Sequence, residues 1–341
     1  MRLSVVLPTY NRLDRLQRVI AGLEQQTYPL EAFEVVVVSD GSTDGTDRWL
    51  AGYGGPLRLR PLTQGNSGVS VARNHGLEYA QGPWILFLDD DVVPAPHLVE
   101  EHVTALRAEP DDKVAVFGPL TTPNDKRLQS WVAWEQEMLA KQYDDMIAGR
   151  WQPTARQFYT GNTSIAKHHL LEAGGFDPSY RRAEDVELAY RLVDRGIRFV
   201  FRPQAVGYHY AERSFASWRQ IPLTYGLNDV QFTRDKGQEW LLPTIMYEFR
   251  HRHAMVRALT WACLDRGALR EGAIVGLRAV GTLADALALN GLRRAAYSGI
   301  FNLLHYQGIA SALGSRNAFF AQSRLAEDPV GPPIARVERS H

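Results

Sequence analysis

Three adjacent aspartates, Asp89, Asp90 and Asp91, directly follow the apolar residues of the stretch "ILFLDDDVVP". The apolar run predicts a buried strand, so the three carboxylates should lie together at its end. Their mutual repulsion must be relieved, and a divalent cation is the simplest means, because Mg²⁺ and Mn²⁺ prefer oxygen ligands. Such ions keep positions open for substrate phosphates. The run therefore indicates a metal site suited to a diphosphate, with an exposed turn before a helix as the alternative.

A fourth carboxylate, Asp40, ends the valine-rich part of "VVVVSDGSTDGT". The glycines that follow it allow a tight turn and a close approach by a ligand. Asp40 could then accept a hydrogen bond from a nucleobase or a ribose hydroxyl. The alternative is a simple turn in which one residue of "STD" caps the next helix. Both can hold at once, since capping would leave Asp40 free.

Four more side chains have the right chemistry to complete such a site. Arg73 lies on a predicted helix directed toward the same region, and arginine suits a phosphate or a ribose. Glu184 and Asp185 begin another predicted helix, where the helix dipole favours negative charge. His209 follows a strand, and a neutral imidazole is a good Mn²⁺ ligand. Each also has a structural interpretation: a solvated arginine, helix-start acids and a structural histidine.

The elements that must position these residues alternate between strand and helix. "LSVVLP", "FEVVVVSD", "LRLRPL" and "WILFLDD" are predicted strands, separated by amphipathic helices. Short loops between them indicate an α/β fold with a doubly wound, mostly parallel sheet. Ligands of such sheets bind beyond the carboxyl ends of the strands. The polar strand ends are therefore expected to share one cleft.

The chain is predicted to have three parts: residues 1–215 as the sheet domain that carries the candidate site, residues 216–325 as a helical extension, and residues 326–341 as a loose tail. From Trp240 to Leu313 the pattern is mostly helical, with arginines at the edges of an apolar face. Such a face can be a domain core, an oligomer interface or a surface that contacts anionic lipid. Core packing is the simplest interpretation, and peripheral membrane contact is the second.

Composition narrows the class of protein. Lys+Arg and Asp+Glu both total 38, which gives no support to a nucleic-acid partner. The single cysteine, Cys263, argues against internal disulfides and fits a reducing cytoplasm. The apolar run from Leu3 to Leu7 is too short for a signal peptide. The longest apolar helical stretch is interrupted by Arg278 and Asp285, so no membrane span is expected.

The order of motifs along the chain resembles the family-two glycosyltransferases with a GT-A fold. The motifs are "VVLPTYNR", "VVVVSDGSTDGT", "NSGVSVARNHG", "ILFLDDD", "GNTSIAKHHLLEAGGFD" and "AEDVELAYRL", followed by His209. The resemblance extends over roughly residues 2–215, and the joint order is far more specific than any single motif. No G-x-G-x-x-G is found in the chain, so the dinucleotide fingerprint is missing.

The resemblance implies roles for individual positions. It implies that the nucleotide is bound by residues at the strand ends: Pro8, Thr9, Tyr10, Arg12, Asp40, Arg73, Asp89 and Asp90. It implies a divalent metal, Mn²⁺ or Mg²⁺, on Asp91 with His209, although Asp90 stays open as the closer ligand. Asp185 would be the catalytic base and Glu184 an orienting group. The sugar or acceptor pocket would include Gly161, Asn162, Thr163 and Trp151. Many relatives carry two acids before "GS", whereas this chain has Ser39 and Asp40.

The implied activity is an inverting, metal-dependent sugar transfer from a nucleotide-sugar, with UDP preferred, to a hydroxyl. The acceptor would be a glycan, a glycolipid or a small molecule, in polysaccharide or glycolipid biosynthesis. One alternative is a sugar-phosphate nucleotidyltransferase, but those enzymes carry a glycine-rich basic loop where this chain has "PTYNRLDR". Another is a non-catalytic nucleotide-sugar-binding module, which would have no need of the acid at position 185.

Overall fold

The predicted strands lie side by side in a seven-stranded sheet with the order β3-β2-β1-β4-β8-β6-β9. A computed structural model describes residues 2–123, 128–180 and 182–327. Its strands are β1 (Leu3–Thr9), β2 (Phe33–Asp40), β3 (Leu59–Gln64), β4 (Trp84–Leu88), β5 (Val92–Pro94), β6 (Val114–Phe117), β7 (Leu120–Thr121), β8 (Asn162–Ala166), β9 (Arg198–Phe201) and β10 (Gly207–His209).

The seven-stranded sheet is mostly parallel, as the strand–helix alternation predicts. Strands β1, β2, β3 and β4 all run the same way, and only β8 is antiparallel to its neighbours β4 and β6. Every residue of β1 and β2 is buried, including the four consecutive valines. A continuous apolar strand of this kind requires cover on both faces of the sheet. The predicted α/β fold class is therefore confirmed.

Helices of the sheet-containing part cover those faces. They are α1 (Leu13–Glu24), α2 (Thr46–Ala51), α3 (Val69–Tyr79), α4 (Leu98–Ala108), α6 (Lys167–Glu172) and α7 (Glu184–Asp194), and α5 (Ser130–Ile147) follows β7. Gly76 lets α3 approach the sheet closely, because a Cβ at this position would lie 2.6 Å from Val6 Cγ1. Helix α3 is thereby held against β1, with Arg73 one turn nearer its start.

A second, three-stranded sheet, which no sequence pattern predicted, is formed by β5, β10 and β7. Strand β10 is antiparallel to β5, so that His209 pairs with Val92. These strands have three, three and two residues, too few for a recognisable alternation of side chains. The pairing nevertheless matters for the site, because it sets His209 beside the residue that follows Asp91.

The chain divides into two compact units, Met1–Lys126 with Leu139–Ala211 and Arg127–Met138 with Glu212–His341. The first unit contains both sheets and ends close to the predicted boundary at residue 215. The second contains helices α8 (Phe215–Trp218), α9 (Gln220–Asp235), α10 (Leu241–His251), α11 (Ala254–Cys263), α12 (Gly267–Ala286), α13 (Asn290–Ala312) and α14 (Arg316–Leu325). The predicted tail beyond Glu327 lies outside the described residues.

The second unit has its own core, centred on α13, where Tyr297, Ile300 and Leu303 are fully buried. Helix α12 contrasts with it, since only Ile274, Gly281 and Ala284 are buried among its twenty residues. Spanning a bilayer would require a longer uninterrupted apolar helix than any found in the described part of the chain.

Candidate active site

The polar ends of β1, β2 and β4 lie together at one edge of the large sheet. These strands are adjacent and parallel, so their carboxyl ends meet at the same edge. Thr9 is the last residue of β1, Asp40 the last of β2, and Asp89 directly follows β4. The sequence-based expectation that these polar residues lie close together therefore agrees with the strand order.

Asp90 is oriented from the side of β1. Thr9 donates a hydrogen bond from Oγ1 to Asp90 Oδ2 at 2.8 Å, and Arg12 donates from Nη1 to Oδ1 at 2.8 Å. Burial raises the pKa of the Asp90 carboxyl, and the positive charge of Arg12 opposes that rise. Both Asp90 oxygens thus have protein partners, and Arg12 Nη1 also donates to Asp91 Oδ2 at 3.4 Å, so the contacts leave open which of the two acids is the closer metal ligand.

Asp91 has the surroundings expected of a cation site. His209 Nε2 lies 3.6 Å from Asp91 Oδ1, and Arg15 Nη1 lies 3.6 Å from Oδ2. Two donors 3.6 Å apart can share one ion, because bonds of about 2.1 Å to each would span up to about 4.2 Å. A carboxylate with an imidazole suits Mn²⁺, which accepts both oxygen and nitrogen ligands. The residues present therefore fit a divalent metal.

Arg73 joins the aspartate run to the start of α7. Its Nη2 donates to Asp89 Oδ1 at 2.8 Å, and its Nη1 donates to Glu184 Oε1 at 2.7 Å. The guanidinium is almost fully buried, with a side-chain exposure of 4%. Burial alone would lower the pKa of Arg73, but the charges of Asp89 and Glu184 outweigh it and raise that pKa. Arg73 is therefore a permanently charged bridge between two acidic groups.

Asp185 directly follows Glu184 in the chain, and the pKa of its carboxyl is raised. Burial, and then the negative charge of Glu184, raises the pKa of Asp185 from 3.8 to about 7, against the opposing charge of Arg73. The preceding residue, Ala183, has a left-handed backbone with φ of 58°, which turns the chain sharply into α7. A carboxylate with a pKa near neutrality can accept a proton and release it again at physiological pH. The position thus has the chemistry of a general base.

Asp40 lies at the predicted edge, and its carboxylate is used to fix the loop before α3. Oδ1 accepts hydrogen bonds from Gln64 Nε2 and from the Ser67 N–H, both at 2.8 Å, and Oδ2 accepts from the Gly68 N–H at 2.8 Å. Asp44 of the predicted capping segment "STD" accepts from the Leu13 and Thr46 N–H groups, but the N-cap of α2 is Gly45 and no side chain caps that helix. Asp40 therefore sets the direction of the helix that carries Arg73.

The remaining predicted nucleotide residues differ in exposure. Pro8 and Thr9 are buried in β1. Tyr10 is 47% exposed, and the Arg12 side chain is also 47% exposed. Tyr10 and Arg12 are therefore the two predicted nucleotide residues of "PTYNR" that are exposed, and Asn11 between them is exposed as well.

The predicted sugar-pocket residues divide into two groups. A Cβ on Gly161 would lie 3.0 Å from Asp89 Oδ2, so glycine is needed to keep that side of the carboxylate open. Trp151 is 41% exposed. Asn162 is fully buried and bonded to His102 Nε2 at 2.8 Å, and the Thr163 hydroxyl donates to the Tyr159 carbonyl at 2.6 Å. In this structure Asn162 and Thr163 support the strand, Gly161 is buried against Asp89, and only Trp151 offers exposed surface to a sugar.

Two residues in or near the site, Arg15 and His102, were not predicted from the sequence. Arg15 reaches Asp91 from α1, and its spacing of three residues from Arg12 in "NRLDR" is the helical signal that could have indicated it. His102 is fully buried between Ser164 Oγ and Asn162 Oδ1, both at 2.8 Å. Burial lowers the pKa of His102 to about 4, so it is a neutral structural group. Nothing in the local sequence distinguishes it from a surface histidine.

Comparison with known proteins identifies the same family as the motifs do. Residues 4–171 match the family model "Glycosyl transferase family 2". The validoxylamine A glucosyltransferase of Streptomyces hygroscopicus subsp. jinggangensis is 34% identical over 220 residues, covering 57% of this chain and 52% of that protein. The chondroitin synthase of Escherichia coli is 28% identical over 238 residues, covering 61% of this chain and 34% of that one. The chain thus spans about half, or less, of the length of these relatives.

Solved structures show the likeness of fold. The mannosyltransferase PcManGT from Pyrobaculum calidifontis, in complex with GDP-Man and Mn²⁺, has a TM-score of 0.57 at 23% identity, over 89% of this chain and 85% of that one. S. aureus TarS 1-349 in complex with UDP-GlcNAc has a TM-score of 0.56 at 18% identity, over 92% and 93%. These likenesses confirm the GT-A fold expected from the motifs, and the matched family model confirms the family: residues 4–171 form a domain of glycosyl transferase family 2.

Proposed function

We propose that this protein is an inverting, metal-dependent glycosyltransferase that moves a sugar from a nucleotide-sugar, with UDP as the expected nucleotide, to a hydroxyl acceptor. The observation that supports it most is the Arg73 bridge, with bonds of 2.8 Å to Asp89 and 2.7 Å to Glu184. Arg73 thereby links Asp89, on the proposed donor side, to Glu184, which is the neighbour of the proposed base Asp185.

The donor side consists of the strand-end residues. Asp91 and His209 would hold Mn²⁺ or Mg²⁺, and the bound ion would neutralise charge on the departing diphosphate. Tyr10 and Arg12 would contact the nucleotide, with Asp40, Asp89 and Asp90 as the other nucleotide-side acids. Gly161 and Trp151 would line the sugar pocket. Solved structures of the same fold support the assignment, since PcManGT was solved with GDP-Man and Mn²⁺ and TarS with UDP-GlcNAc.

The acceptor side consists of Asp185. An acceptor hydroxyl attacks the anomeric carbon from the face opposite the diphosphate, a new C–O bond forms, and the bond to the diphosphate oxygen breaks. The hydroxyl proton passes to Asp185, whose pKa of about 7 suits this transfer. Glu184, which is held by Arg73, would orient the acceptor or the loop and would not take the proton. One displacement inverts the configuration, and no covalent intermediate is needed.

The two other candidate functions have less support. A nucleotidyltransferase would require a glycine-rich basic loop after β1, and this chain has "PTYNRLDR" there. A binding module would have no use for a carboxyl whose pKa is raised to about 7 beside the donor acids. The names of the relatives include a glucosyltransferase for a small molecule and a polysaccharide synthase, so both acceptor classes belong in a screen.

We also propose that the second unit docks on the cytoplasmic surface of an anionic membrane through one face of α12. Ten exposed residues recur at helical spacing along it and none is charged: Ala268, Leu269, Gly272, Val275, Gly276, Ala279, Val280, Leu283, Ala286 and Leu287. Val275, Leu283 and Leu287 are 67%, 62% and 59% exposed. Residues 252–294 contain seven arginines and three acids, a net charge of +4 by difference. Arg293 is buried in ion pairs with Glu137 and Asp285, but five of the other arginines are exposed and complement anionic lipid: Arg252, Arg257, Arg266, Arg278 and Arg294.

Vesicle sedimentation tests the membrane proposal. The double substitution Val275→Glu with Leu283→Glu should weaken binding to vesicles rich in phosphatidylglycerol at least about tenfold. Gln322→Glu is the control, because it adds negative charge at an exposed position of α14. Concentration-dependent self-association that the double substitution abolishes, without vesicle binding, would assign the face to a second copy instead.

A donor and acceptor screen tests the transferase proposal. Release of nucleoside diphosphate should be measured with UDP-, GDP- and dTDP-sugars, against both acceptor classes. We expect acceptor-dependent release with a UDP-sugar that Asp185→Asn abolishes and Asp194→Asn, an exposed acid at the far end of α7, retains. Release of pyrophosphate from a sugar phosphate and a nucleoside triphosphate would favour the nucleotidyltransferase.

A further inference from the structure

A second cluster of metal-ligating side chains lies far from the aspartate run. Asp112 lies in the loop between α4 and β6, and His168 and His169 begin α6 directly after β8. Strand β8 is antiparallel to β4, so Asn162 pairs with Leu88 at the active-site edge and Ala166 pairs with Trp84 at the other. Four residue steps of about 3.3 Å separate those ends. The cluster therefore lies at the opposite edge of the sheet, about 13 Å or more from Asp89.

The three side chains converge with distances suited to a small ion. His168 Nε2 lies 3.5 Å from Asp112 Oδ2, and His169 Nε2 lies 3.4 Å from Asp112 Oδ1. Among the described residues this is the group of three whose potential ligand atoms all lie within 4.8 Å of one another. Two ligands on a tetrahedral ion, each at about 2.0–2.1 Å, are about 3.4 Å apart. Each measured separation is close to that value, although the two histidines face different oxygens of Asp112. His169 Nε2 also lies 3.1 Å from the Asp112 carbonyl oxygen, a contact that a bound ion would replace.

The donor types distinguish this cluster from the active site. Two imidazoles with one carboxylate form a nitrogen-rich set of intermediate softness, which suits Zn²⁺ and its neighbours in the transition series better than Mg²⁺. Asp91 and its acidic neighbours offer mainly oxygen, which suits Mg²⁺ or Mn²⁺. The Asp112 cluster would therefore prefer Zn²⁺, and the site at Asp91 would prefer Mg²⁺ or Mn²⁺.

We propose that Asp112, His168 and His169 form a Zn²⁺ site with three protein ligands and an open fourth position for water. His169 is 6% exposed, so one ligand is already held in position by packing. His168 and Asp112 are half exposed at 48% and 49% of their side chains, which gives an ion access from solvent. A bound ion ties the α4–β6 loop to the start of α6, and so stabilises the fold without entering the transfer reaction. The alternative is a pair of plain histidine–aspartate ion pairs.

Metal titration of the full chain, free of any affinity tag and stripped with a chelator, tests the site. Zn²⁺ binding is measured by calorimetry, and Co²⁺ is added as a spectroscopic probe, since tetrahedral Co²⁺ absorbs strongly in the visible range. We expect one tight equivalent in the wild type and at least a tenfold loss of affinity in His168→Ala and in Asp112→Asn. The thermal midpoint should rise with Zn²⁺ in the wild type only, and sugar transfer should be unchanged in both variants.

His97→Ala is the matched control, because His97 Nδ1 makes an exposed pair with Glu100 Oε2 at 3.5 Å and has no second histidine. It should keep the Zn²⁺ equivalent. Circular dichroism of metal-free His168→Ala verifies that the variant is folded. The proposal is overturned if the folded wild type has no saturable Zn²⁺ equivalent, or if His168→Ala and Asp112→Asn bind Zn²⁺ as tightly as His97→Ala does.

Discussion

Asp185→Asn is expected to abolish transfer and, at the same time, to stabilise the fold above pH 7. The folded structure raises the pKa of Asp185 from 3.8 to about 7 through burial and the charge of Glu184. A shift of about 3 units corresponds to about 4 kcal/mol. Partial exposure of the side chain reduces that cost to about 1–2 kcal/mol. The neutral asparagine avoids it.

The sign of the pH dependence follows from the direction of the shift. Below about pH 4 the carboxyl is protonated in the folded and unfolded chains, so it costs nothing. Between pH 4 and 7 the folded protein holds a proton that the unfolded chain releases, and stability is lost as pH rises. Above pH 7 the full cost of a buried charge is present. The asparagine variant should therefore melt about 2–4 °C higher than the wild type at pH 8, with no advantage near pH 4.

The kinetic consequence is separate from the stability effect. Loss of a general base should lower kcat/KM by about 10²- to 10⁴-fold. In the wild type, kcat/KM should fall toward acid with a midpoint near pH 7, as the pKa of Asp185 requires, and at pH 6 it should be about a tenth of the plateau. An ordinary carboxyl would leave the rate flat across that range.

The assay combines diphosphate release with thermal melting at pH 4, 6 and 8. Asp194→Asn makes the same chemical change at the exposed end of α7 and should alter neither quantity. Retained turnover in Asp185→Asn would show that another group removes the proton. A melting advantage equal at pH 4 and pH 8 would show that Asp185 does not carry the shifted pKa.

Three further changes probe the rest of the site. Arg73→Ala should destabilise the protein by about 3–5 kcal/mol in chemical denaturation, because Glu184 would be left buried and unpaired; a loss below 1 kcal/mol would mean that the bridge is solvated. Asp91→Ala should remove the difference between Mn²⁺ and EDTA in the thermal shift caused by UDP, and an undiminished difference would move the metal elsewhere. Gly161→Ala should lower transfer at least about tenfold with little effect on melting, since the new methyl group would press on Asp89; unchanged transfer would refute that crowding.

Sequence reasoning located the donor side of the site because strand ends are predictable. A fully apolar strand such as β4 must be buried, and residues that follow parallel strands must meet at one edge. Thr9, Asp40 and Asp89 were expected at one edge for this reason, and the order of β1, β2 and β4 agrees with that expectation. The mostly parallel sheet was also predicted, since strand–helix alternation leaves few other arrangements.

The parts that sequence reasoning missed depend on contacts between distant segments. The sheet of β5, β7 and β10 is built from strands too short to show a period. Asn162 of β8 is buried between His102 of α4 and the Ala205 carbonyl of the loop between β9 and β10. The pKa of Asp185 likewise depends on burial and on the placement of Glu184 and Arg73. Local patterns carry no information on such placements.

The most direct test of the account is a calorimetric titration of UDP, with Mn²⁺ present, into Asp91→Asn and Asp185→Asn, together with their turnover. If the aspartate run holds the metal-bound diphosphate and Asp185 takes the acceptor proton, both variants should lose transfer. Only Asp91→Asn should bind UDP more weakly, by at least about tenfold. UDP binding of wild-type strength in Asp91→Asn, or turnover of wild-type rate in Asp185→Asn, would contradict the assignment.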